Sequence, residues 1–165
     1  MSRSLHTWYS LQDLEAFGVR RVTLSGELAT AKMSRLADLL HADDGSVKVS
    51  LSFRQRSDGG LTLELAYEAT LELTCQRCLE PLRRHVAERI EMAVVGSESM
   101  ASALPSGHEP LELDDGALLP AQLIEDELIV SIPLVPKHER IEECGTLARE
   151  LGSTEAKAAQ RAPDL

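Results

Sequence analysis

Residues 61–73 read LTLELAYEATLEL, and every odd position is apolar: Leu61, Leu63, Leu65, Tyr67, Ala69, Leu71 and Leu73. Of the even positions only Ala66 is apolar. A period of two marks a β-strand with one face on a core and the other in water. At ~3.3 Å per residue the stretch would run roughly 40 Å, longer than usual, so a bend or bulge is expected within it. Similar alternation lies on both sides. Upstream, Val47, Val49, Leu51 and Phe53 alternate with Lys48, Ser50 and Ser52, and Asp58-Gly59-Gly60 between the runs is a hairpin turn signal. Downstream, Val86, Ile90, Met92 and Val94 share the even positions. These runs predict an antiparallel meander of 47–55, 61–73 and about 84–95.

A one-sided sheet needs a cover, and helical spacing supplies it. Leu119, Leu123, Ile124, Leu128 and Ile132 predict a helix over 119–131, with Pro120 in its first turn and Pro133 and Pro136 beyond its end. Met33, Leu36, Ala37, Leu39 and Leu40 predict another over 30–42, closed by Asp43-Asp44-Gly45. A short helix or turn over 11–17, closed by Gly18, leads into a strand over 19–28 where Gly26 suggests a bulge. Residues 96–110, rich in Ser, Gly and Pro, read as a mobile surface loop, and 111–115 as a short edge strand. The stretch 146–165 carries Ala and charge with weak periodicity, and is expected to be a flexible or weakly helical tail. The predicted fold class is α+β: an antiparallel sheet covered by two or three helices, one domain over 1–145, and a mobile C-terminal tail.

At 165 residues the chain is long enough to bury a core without a staple. No apolar run approaches the ~20 residues of a membrane helix. The start, MSRSLHTWYSLQDLEAF, lacks the features of a signal peptide, so a cytoplasmic protein is expected. Seventeen Lys and Arg against 27 Asp and Glu give a net charge of −10. Such a balance opposes sequence-blind binding to nucleic acid and suits basic partners. No glycine-rich phosphate loop, HExxH or evident Ser-His-Asp set appears, so an enzyme is not expected. Glu125, Asp126 and Glu127 together on the 119–131 helix read as a solvated face.

The chemistry concentrates after the long strand, in TCQRCLEPLRRH at 74–85. Cys75 and Cys78 sit where two strands meet, a knuckle that can aim two thiolates into one tetrahedral site. One such pair supplies two ligands. The nearest candidates for the others are His138 and Cys144, with His85 in reserve, and zinc would be the ion. The alternative is a pair of ordinary small residues shaping a turn. A redox pair is disfavoured, because such a pair normally opens a helix and Leu79-Glu80-Pro81 follows here. Arg77, Arg83, Arg84, His85 and Arg89 form a dense basic run in an acidic chain. They are either solvated strand and turn residues or a small docking patch for phosphate or an acidic protein. One nearby aromatic, Tyr67, is too few for a base-stacking platform.

Two segments together resemble a known family. One is the knuckle Cys75-Gln76-Arg77-Cys78 with Leu79 and Pro81. The other runs from Glu109-Pro110-Leu111-Glu112 through EDELIVSIPLVPKHE (125–139) to Cys144. The chain is similar, over roughly 20–145, to the bacterial YceD-like proteins, the large ribosomal RNA subunit accumulation proteins also found in plastids. The matching positions are Cys75, Arg77, Cys78, Pro81, Glu127, Pro133, Pro136, His138 and Cys144. The resemblance implies a non-enzymatic role in accumulating large-subunit ribosomal RNA. Given the acidic chain, it implies binding to a ribosomal protein or large-subunit assembly factor more than direct coating of RNA, with no small-molecule substrate and no membrane. The expected binding surface joins the matching Arg77, Glu127, Pro133 and Pro136 with Arg83 and Arg84 of the basic run. The family's frequent Asn-Pro-Phe-containing end is absent, since this chain finishes QRAPDL. Rival readings are a metal-dependent RNA-processing enzyme and a zinc-stabilised adaptor without a ribosomal link.

Overall fold

The computed structural model describes residues 4–96, Leu104 and 109–145. The loop expected at 96–110 falls almost wholly outside these residues, and the tail expected from 146 entirely so. A five-stranded sheet forms the centre. Its strands are β2 (Thr23–Ala29), β3 (Ser46–Gln55), β4 (Leu61–Thr74), β5 (Pro81–Val95) and β6 (Glu109–Glu112), side by side in that order. A two-stranded ribbon pairs β1 (Tyr9–Ser10) with β7 (Ala117–Leu118). Helix α1 (Leu11–Arg20), the single turn α2 (Ser34–Ala37) and helix α3 (Pro120–Ser131) complete the fold with two short 3-10 turns, Thr30–Lys32 and Ile141–Glu143.

The alternation of β4 is realised in full: all seven odd residues from Leu61 to Leu73 are buried. They meet Val47, Val49, Leu51 and Phe53 of β3, Val86 and Met92 of β5, Leu14 of α1 and Leu123, Ile124 and Leu128 of α3 in one core. Each large aliphatic buried there contributes about 1.5–3 kcal/mol relative to exposure. Aromatic rings are few, and three form an edge-to-face chain, Tyr9 to Phe17 at 5.1 Å and Phe17 to Phe53 at 5.5 Å. The hairpin turn is where Asp58-Gly59-Gly60 predicted it. Gly59 has φ 86°, and Asp58 accepts from the Gly60 amide at 2.9 Å.

Several local expectations are corrected. Pairing of β4 with both neighbours runs unbroken from Leu61 to Ala69 and from Leu61 to Thr74, so the long strand holds no bulge. Gly26 does not mark one either, since β2 pairs with β3 in one register from Thr23 to Ala29. Its place reflects crowding: a Cβ there would come within 3.0 Å of Leu5 Cδ1. Gly18 lies inside α1 and does not stop it. A Cβ at Gly18 would meet Leu61 Cδ1 at 2.5 Å, so the glycine lets the helix press on the hairpin, and Arg21 in the left-handed region ends the helix. The helix expected over 30–42 shrinks to a 3-10 turn and the four residues of α2. The edge strand comes slightly earlier than expected, at 109–112, and pairs with β5 in parallel, so the sheet is not wholly a meander.

Candidate metal centre

Strand β4 ends at Thr74 and β5 starts at Pro81, and the six residues between form a tight knuckle. The Cys75 amide donates to the Glu80 carbonyl at 3.0 Å, and the Leu79 amide to the Cys75 carbonyl at 2.8 Å. Leu79 adopts φ 61°, a left-handed conformation that an L side chain favours far less than glycine does. Its side chain is 70% exposed, so packing does not account for it. No helix begins here, which removes the helix N-terminus that activates redox thiol pairs.

Beyond α3, the chain through Pro133 and Pro136 turns back onto this knuckle. The Gln76 amide donates to the Pro136 carbonyl at 2.8 Å. That contact carries His138 and Cys144 to the cysteine pair, so ligand atoms of Cys75, Cys78, His138 and Cys144 all lie within 4.8 Å of one another. His138 Nδ1 stands 3.5 Å from Cys78 Sγ and 3.6 Å from Cys144 Sγ. Cys75 and Cys144 are buried and Cys78 is half-buried. They form a cluster apart from the main core, with Leu82 packed against both.

The donors fit a tetrahedral ion. With Zn–S ~2.3 Å and Zn–N ~2.0 Å, a regular tetrahedron sets S···N at roughly 3.5 Å and S···S at roughly 3.8 Å. The electrostatics fit as well. Burial pushes the Cys75 thiol up, yet backbone N–H groups of His138, Arg77 and Cys78 aim at its sulfur and bring it down to about 6. Burial raises the Cys144 thiol, and the adjoining Cys78 and Cys75 sulfurs raise it further by opposing a third negative charge. A cation among the three sulfurs would relieve that opposition. Arg77 Nη1 reaches to 3.8 Å from Cys144 Sγ.

The remaining candidates are dispersed. His85 is not among the four clustered groups; it faces Glu68 across the sheet at 3.9 Å. The basic run is interleaved with acidic partners. Alternation puts Arg83, His85 and Arg89 on the solvent face of β5. Glu72, Glu68 and Glu64 of β4 stand against them, with Arg83–Glu72 at 3.5 Å and Arg89–Glu64 at 2.9 Å. Arg84 projects to the opposite face. The acidic ladder at every fourth residue of β4 is readable in the sequence, but only once the strand pairing is known.

The helix carboxylates also part company. Glu125 is buried, against the expectation of a solvated face: its Oε1 accepts from the Arg35 amide at 2.8 Å and the Leu36 amide at 3.1 Å. Arg35 Nη2 reaches its Oε2 at 3.1 Å, and Nη1 pairs with Asp126 at 2.6 Å. Glu127 has no ion pair among the described residues. Burial raises its carboxyl above the ordinary glutamate range, with Glu109 and Asp126 adding to the shift. On the same helix Val130 is 80% exposed, and beyond its end Leu134 is 100% exposed and Val135 is exposed too. No helix among the described residues is long and apolar enough to cross a membrane.

Comparison with known proteins gives one consistent result. The family model described as large ribosomal RNA subunit accumulation protein YceD matches residues 63–164, which span both halves of the cysteine and histidine cluster. The curated large ribosomal RNA subunit accumulation protein YceD of Haemophilus influenzae is 30% identical over 132 residues, 79% of this chain and 75% of that protein. No solved structure matches.

Proposed function

The chain belongs to the YceD family of large ribosomal RNA subunit accumulation proteins, and from that premise we propose that it is a cytoplasmic, non-enzymatic factor in large-subunit ribosome biogenesis. It promotes accumulation of the large-subunit RNA by holding a basic ribosomal protein or assembly factor, and any contact with RNA is secondary. The observation that carries this reading is the exposed apolar segment after α3. Leu134 and Val135 lie fully or half in water between Pro133 and Pro136, and the Gln76–Pro136 bond ties them to a knuckle whose tip is the exposed Leu79. A monomer that needed these side chains only for its own fold would bury them. We assign Glu127 and Arg84 to the same surface, and the net charge of −10 favours a basic partner. Arg83 is engaged by Glu72 and contributes less.

In the same reading Cys75, Cys78, His138 and Cys144 hold a zinc ion, with three thiolates and one imidazole as ligands. The ion supplies no reaction step. It fixes the segment 133–144 against the knuckle, and so fixes the docking surface.

The test is capture of large-subunit components by the tagged full-length chain, with Leu134→Asp and Leu79→Gly as surface variants. Leu79→Gly also relieves the left-handed backbone, so it should fold at least as well as the parent. We expect both variants to lose most of the captured protein. A host lacking the chain yet keeping normal large-subunit RNA would sink the reading, as would a purified chain that cleaves precursor ribosomal RNA.

A further inference from the structure

Arg77 belongs to the metal centre. In the Cys75-Gln76-Arg77-Cys78 turn its backbone amide aims at Cys75 Sγ, while its guanidinium extends to Cys144 Sγ at 3.8 Å. One residue thus faces the sulfurs of both segments that build the cluster. It makes no ion pair with a carboxylate among the described residues, whereas Arg83 and Arg89, further along β5, each do.

The charge count gives this placement a purpose. Three thiolates, a neutral imidazole and a divalent zinc sum to one net negative charge. Cys75 and Cys144 are 0% and 1% exposed, so that charge sits where water solvates it poorly. A buried charge is tolerated when a partner of opposite sign and hydrogen bonds meet it. A guanidinium is planar, permanently charged and weakly hydrated, which suits it to lie against a sulfur at the edge of a buried centre. A lysine ammonium would meet the charge but surrender more hydration.

We propose that Arg77 is the counter-ion of the loaded centre, its guanidinium donating to Cys144 Sγ and cancelling the single negative charge of a three-thiolate, one-imidazole zinc site. It is a positioning residue: it touches a ligand and leaves the ion alone. The inference rests on the zinc reading above, and it moves Arg77 from the docking surface to the centre's outer shell. Outer-shell partners of this kind contribute roughly 10–100-fold to metal affinity.

The experiment compares the untagged chain with Arg77→Gln and Arg77→Lys, measuring zinc content, competition against a chromophoric chelator, and the sulfur-to-cobalt charge-transfer band of the cobalt-loaded forms. The expected result is one zinc per parent chain. Arg77→Gln should bind zinc about 10–100-fold more weakly and show a charge-transfer band at lower energy, because a thiolate without its donor gives up electrons more easily. Arg77→Lys should recover most of the affinity. If the parent binds zinc and Arg77→Gln matches it in affinity and band position, the counter-ion is overturned while the zinc reading stands. If Arg77→Lys is as weak as Arg77→Gln, the charge is not what matters and the inference again fails. A parent chain that binds no zinc overturns both.

Discussion

Two clasps fasten the C-terminal third of the described chain to the rest, and they work on opposite principles. At the first, Glu125 of α3 meets two backbone amides and the guanidinium of Arg35, so an anion is surrounded by donors. At the second, Cys75, Cys78, His138 and Cys144 bring together four side chains that are all electron-pair donors. The first meets its buried carboxylate with donors from the chain alone. The second has the composition of a cation's coordination shell, and the Cys144 thiol is raised by burial first and then by opposition from the Cys78 and Cys75 sulfurs. Of two polar junctions in one small fold, then, only one should answer to metal.

The largest effect that can break this contrast is metal removal. At free zinc about a thousandfold above its dissociation constant, an ion bound only by the folded chain contributes about 4 kcal/mol. For a chain of this length that is a fall in Tm of roughly 10 °C on chelation. The sheet should survive the loss, because the cysteine cluster is separate from the main core and shares only Leu82 with it. We expect far-UV circular dichroism to hold while amides near 133–144 lose protection from exchange. A Tm that ignores the chelator would leave both clasps metal-independent and end the contrast.

Glu125→Ala comes next. It strands the Arg35 and Leu36 amides and leaves the half-exposed Arg35 guanidinium with Asp126 as its remaining carboxylate, so the cost should be about 2–3 kcal/mol in denaturant unfolding. The loss should be the same with and without chelator, since the junctions share no side chain. Strong non-additivity would mean the two clasps open as one unit.

These junctions also mark where the sequence stopped being legible. The sheet was readable because one strand's alternation needs no knowledge of its partners: burial of all seven odd residues of β4 follows from Leu61 to Leu73 alone. Helix α3 was readable for the same reason, from the spacing of Leu123, Ile124 and Leu128. What required the fold was anything assembled across distance. Glu125 looked like its neighbours Asp126 and Glu127, and only the approach of α2 makes it a buried acceptor. Arg83, His85 and Arg89 could be read as solvated strand residues or as a docking patch, and only strand pairing shows Glu72, Glu68 and Glu64 beside them. The joining of Cys75 and Cys78 to His138 and Cys144 lay between, since residue chemistry suggested partners whose proximity only the Pro136 contact provides. Arg77 reads in the sequence as one more charge of the basic run, and only the fold brings its guanidinium to 3.8 Å from Cys144 Sγ.

The smallest effect concerns Glu127, the carboxylate beside Glu125 that neither clasp uses. Its carboxyl is raised first by burial and then by Glu109 and Asp126, so the charged form is disfavoured in the folded chain. A group raised on folding contributes stability while it is protonated, and that contribution is lost as pH rises through its folded value. At pH 7 the charged Glu127 is therefore a slight burden, and Glu127→Gln should raise Tm by no more than about 2 °C, given its partial exposure. Below the ordinary glutamate range both side chains are neutral, and the difference should vanish. A residue that burdens the free chain yet lies one helical turn from exposed Val130 is one we expect to meet a partner's cation. Glu127→Gln should thus be more stable alone and weaker in capturing a basic protein, with the gap in capture narrowing as salt rises. If stability rises and capture is untouched, Glu127 lies outside the docking surface, and that surface contracts to Leu79 and the segment from Pro133 to Pro136.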